Sequence, residues 1–65
     1  MTSEEYAQII TKKADELMME LEFDDPSIAV SACIEAACNI ALKNNREILV
    51  GDKLIECGNL LKMRN

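Results

Sequence analysis

Histidine and tryptophan are absent from this 65-residue chain, and it holds only two glycines, one proline and two aromatic residues. Each shortage excludes something. Without histidine, no side chain ordinarily titrates near neutral pH, and no serine or cysteine has the usual imidazole base. No glycine-rich strand-to-helix turn is present to cradle a phosphate. Asp24 and Asp25 lack the twelve-residue loop with a central glycine that calcium requires. The three cysteines match no zinc spacing and have no histidine to complete a ligand set. The residues therefore point to a non-enzyme, with no catalytic residue, no cofactor and no metal site.

Long apolar runs are also missing. The longest, Ile28 to Leu42, is interrupted by Ser31, Glu35 and Asn39, and falls short of the ~20 residues that span a bilayer. The opening Met1-Thr2-Ser3-Glu4-Glu5 has neither the basic nor the apolar part of a signal peptide. An odd number of cysteines cannot close an intramolecular disulfide framework. On a shared helix, Cys33 and Cys38 point roughly 140° apart, too divergent to bond. A reducing, cytoplasmic setting is the expectation, with Cys33, Cys38 and Cys57 as small buried hydrophobes.

Positive charge is the last shortage. The net charge is −5, and it is unevenly spread. Residues 1–25 carry eight acids against Lys12 and Lys13, whereas residues 26–65 carry four acids and five bases. Direct binding to nucleic acid or to an anionic membrane is disfavoured.

What remains is rich in Ala, Leu, Ile, Met, Glu and Lys, a composition that favours helix. The pattern predicts an all-α, three-helix single domain. A first helix over about 3–22 starts at a Thr2–Glu5 capping box, and its apolar stripe is Tyr6, Ile10, Ala14, Leu17 and Leu21. Asp25 as N-cap and Pro26 at the first position open a second helix, about 26–43. Asn44 and Glu47 have capping-box spacing for a third helix, about 45–62, with a stripe of Val50, Leu54, Cys57 and Leu61. Gly51 and Gly58 fall on one face of that helix. They suggest either close packing or a break at Gly51, and the continuous helix is the favoured reading. The first two helices are expected to pack antiparallel.

The middle helix is unusual. Its polar residues Ser31, Glu35, Asn39 and Lys43 form one narrow stripe, which leaves an apolar arc of about 200° against roughly 100° for an ordinary surface helix. A chain this small buries only about 60% of its unfolded surface, and association is the remaining route to stability. The expectation is a homodimer through the middle helix, at Val30, Ile34, Ala37 and Ala41. On the first helix, Ile9, Met19 and Phe23 lie off the main stripe beside Glu16 and Glu20, an apolar patch in an acidic rim suited to a basic protein partner.

The functional expectation is a non-catalytic acidic interaction module: a regulator or inhibitor that binds another protein, of the kind found among bacterial or phage accessory proteins. Two alternatives accompany it. One is an acidic nucleic-acid mimic that occupies a DNA- or RNA-binding protein. The other is an oligomer that sequesters a small molecule between subunits.

Overall fold

The structure, a computed structural model, describes residues 1–64. It is all-α: α1 (Ser3–Glu20), α2 (Pro26–Asn44) and α3 (Glu47–Met63). Two helix starts follow directly from local chemistry. Thr2 lies in extended backbone, and its Oγ1 accepts a 3.1 Å hydrogen bond from the Glu5 N–H. The same hydroxyl donates to Glu5 Oε1 at 3.1 Å. Glu4 and Glu5 in the first turn complement the positive end of the helix dipole. At α2, the Asp25 carboxylate accepts from the N–H groups of Ser27 (3.0 Å) and Ile28 (3.4 Å), and Pro26 occupies the first position. These bonds satisfy amides that no helical carbonyl can reach. Asp25→Ala is therefore expected to cost about 1 kcal/mol, lowering the melting midpoint by roughly 4–8 °C. Asp15→Ala, an exposed position within α1, removes no cap and serves as the control in the same thermal melt.

The other ends depart from the expected boundaries, each for a stated reason. α1 stops at Glu20 rather than Glu22. Its last turn has no basic residue, and Glu20 and Glu22 place negative charge at the negative end of the dipole. The chain then unwinds through tight turns, with the Asp24 N–H bonded to the Leu21 carbonyl at 3.1 Å. Asn44 does not cap the third helix. It is the last residue of α2, and its Nδ2 donates to the Ile40 carbonyl at 2.8 Å. Asn45 takes the left-handed conformation (φ 56°), and the Arg46 N–H donates to the Ala41 carbonyl at 2.8 Å, the six-to-one bond of a Schellman stop. Asparagine tolerates that backbone better than other side-chain-bearing residues. α3 runs unbroken through Gly51 and Gly58.

Tertiary packing is sparse. α2 and α3 are the one pair of described helices whose backbones approach closely. α1 stands away from both, so the expected antiparallel packing of the first two helices does not form. Ala41, at 3% exposure, is the single buried residue among those described. Ala37, Val50 and Gly51, on either side of the α2–α3 turn, are half-buried. The glycines do not serve close packing within the chain: a Cβ at Gly51 or Gly58 would meet nothing within 4 Å.

Two global measures express the same openness. The Cα radius of gyration is 13.2 Å, against about 11 Å for a compact 65-residue domain. The accessible surface is 6155 Å², against about 4,200 Å² for a folded monomer of 7.3 kDa. Roughly 2,000 Å² of surface is thus left uncovered that a compact fold of this size would bury.

Candidate functional site

The uncovered surface is organised. The three helices enclose an open cleft of about 700 Å³. Leu17 and Met18 supply its α1 wall, and Leu21 closes the end where α1 turns toward α2. The floor is formed by Ala29, Val30, Cys33 and Ile34 of α2. Opposite α1 stand Leu54, Cys57, Gly58 and Leu61 of α3. The charged residues on the lining are Glu22 and Asp24, both in the α1–α2 connection and both exposed to solvent. The lining is otherwise apolar or small, and offers no cluster of polar groups that would fix a polar ligand.

The four residues expected at the self-association surface fall into two groups. Val30 and Ile34 line the cleft and remain exposed. Ala37 and Ala41 do not belong to it. The tight stop at Asn45 turns the chain back beside the last turns of α2, leaving Ala37 half-buried and Ala41 fully buried within the chain. Ala41 is therefore unavailable to a second copy. Leu54, Cys57 and Leu61 had a visible signal, the stripe of the third helix. Those three face the cleft, whereas Val50 of the same stripe is half-buried beside the α2–α3 turn. The α1 stripe is similarly open. Tyr6, Ile10, Ala14 and Leu17 are all exposed, and Leu21 alone is half-buried. All three cysteines are exposed rather than buried, with Cys33 and Cys57 on the cleft and Cys38 outside its lining.

The second candidate surface is the outer side of α1. At about 100° per residue, Ile9, Glu16 and Glu20 fall within roughly 40° of one another, and Met19 lies about 60° further round. All four are exposed. Phe23 lies beyond the helix end, in the connection, and is 95% exposed. It does not fold back over the core. An aromatic ring held in water beside Glu22, Asp24 and Asp25 is an unsatisfied apolar group in an acidic setting. Lys13 reaches Glu16 at 4.0 Å, but both side chains are exposed, and such a pair contributes little.

Among the described residues, no group of three or more His, Cys, Asp or Glu side chains converges to hold a metal, and no helix is long and apolar enough to cross a membrane. The chain matches no known protein-family model, no curated protein and no solved structure.

Proposed function

We propose that this chain is a non-catalytic acidic interaction module, a regulator or inhibitor that acts by binding another protein. We further propose that it works as a homodimer held through α2 and the surfaces beside it. The observation that carries the first part is Phe23, 95% exposed at the end of the acidic α1. A solvated aromatic is the kind of anchor that fills a pocket on a partner. The surrounding carboxylates of Glu16, Glu20, Glu22 and Asp24 select a basic partner and speed its approach. The mimic reading asks for a sustained acidic face, which Lys12 and Lys13 interrupt.

Affinity capture with three baits tests the module. These are the unmodified chain, Phe23→Ala and the double reversal Glu16→Lys/Glu20→Lys. A basic protein should be retained by the first bait and lost from the other two. Its release should rise with salt, as screening predicts. A captured protein retained equally by all three baits, or none captured by any, removes this surface as the binding site. Both variants change exposed residues outside the cleft, so the thermal midpoint should stay close to that of the parent.

A further inference from the structure

We infer that the three-helix cleft is the seat of a second copy of this chain, cleft facing cleft across a two-fold axis, and that the fold is completed only by that assembly. This rests on the two-copy reading above and locates it.

Area argues for the occupant. Each chain carries roughly 2,000 Å² in excess of a compact monomer over its whole surface, and an obligate homodimer buries about 2,000 Å² or more in total, so a second copy need cover only about half of that excess from each chain, the cleft and the apolar surface around its mouth. A small ligand in a 700 Å³ cleft would cover only a fraction of it. The lining argues for a copy rather than an unrelated chain. It is apolar from three helices, with its carboxylates confined to the α1–α2 end. Two such surfaces can meet without burying like charges, as a self-complementary interface requires. A protomer with one buried residue among those described cannot offset the entropy of ordering three helices, so helix content and association rise and fall together.

The cysteines report on this without any substitution. Cys33 and Cys57 lie inside the cleft and Cys38 outside it, and all three are exposed in the single chain. The experiment uses the full chain, reduced, across a dilution series. Sedimentation gives the mass, far-ultraviolet circular dichroism the helix content, and alkylation read by mass spectrometry the rate at each thiol. The expected result is a mass of two chains at high concentration, with Cys33 and Cys57 alkylated roughly ten-fold or more slower than Cys38. Dilution should abolish both the protection and the helix signal together.

A dimer with all three thiols equally reactive would overturn the cleft assignment and leave the two-copy reading standing. A helical monomer throughout, a mass other than two chains, or a cleft filled by a co-purifying apolar molecule would overturn both. So would a chain that becomes helical only when another protein is added. Failure to capture a basic partner through Phe23 bears on neither.

Discussion

Ile34→Glu is expected to weaken self-association by roughly a thousand-fold or more, and to remove most helix signal at concentrations where the parent chain is folded. Ile34 is 47% exposed in the single chain and lies on the cleft floor. In a lone protomer the substitution would be close to neutral, because the new carboxylate could reach water and glutamate is a good helix former. In the face-to-face assembly it is not neutral. Each copy loses about 1 kcal/mol for the remaining exposed part of the isoleucine. Each also places a charge in an apolar interface, at an effective cost of several kcal/mol per ion. Two copies then sacrifice well over 4 kcal/mol, and each 1.4 kcal/mol is a factor of ten in the dissociation constant. Sedimentation of the variant beside the parent decides it: unchanged mass and unchanged helicity would place Ile34 outside any interface.

A second large effect is expected on α1, and it has an internal control. Leu17 and Tyr6 share the α1 stripe and are similarly exposed in the single chain, 49% and 62%. Leu17 lines the cleft and Tyr6 does not. Judged by the protomer alone, Leu17→Glu and Tyr6→Glu should both fall within about 0.5 kcal/mol of the parent, as surface changes do. Covered by a second copy, Leu17→Glu loses about 2 kcal/mol or more from each chain. That corresponds to a fall in the melting midpoint of roughly 10 °C or more, with Tyr6→Glu near the parent. Both variants add one negative charge, so net repulsion cancels from the comparison. Thermal melts at one protein concentration distinguish the outcomes, and equal midpoints for the two variants would count against α1 as a wall of the interface.

These predictions depend on a property that neither sequence nor fold shows alone. The middle helix signals surplus apolar surface through its narrow polar stripe of Ser31, Glu35, Asn39 and Lys43. That signal indicates that something must cover the helix, without naming which face. In the chain as folded, α3 covers the C-terminal part, around Ala37 and Ala41, and the N-terminal part around Val30 and Ile34 stays open. The Schellman stop at Asn45 separates these two pairs of residues. That stop turns the chain back on itself within two residues and commits one end of α2 to the protomer.

What is local in this protein can be read directly from neighbouring residues. Helix content follows from composition, and the α1 and α2 starts follow from Thr2 and from Asp25 with Pro26. These depend on bonds between residues two to three apart. The acidic outer side of α1 is local in the same sense, because the spacing of Ile9, Glu16 and Glu20 on a helix needs no other element to define it. Which stripes are satisfied depends on how the three helices are placed in space. Periodicity shows that a helix has an apolar face, but a stripe packed against its own chain and a stripe awaiting another chain have the same spacing. Tyr6 to Leu21 and Val50 to Leu61 both look like core in the sequence. In the fold, the stand-off of α1 and the position of α3 turn most of each stripe toward open space. The apolar middle helix therefore carries surface that its own chain leaves open around Val30 and Ile34, and the cleft it forms with α1 and α3 is where the second copy is proposed to sit.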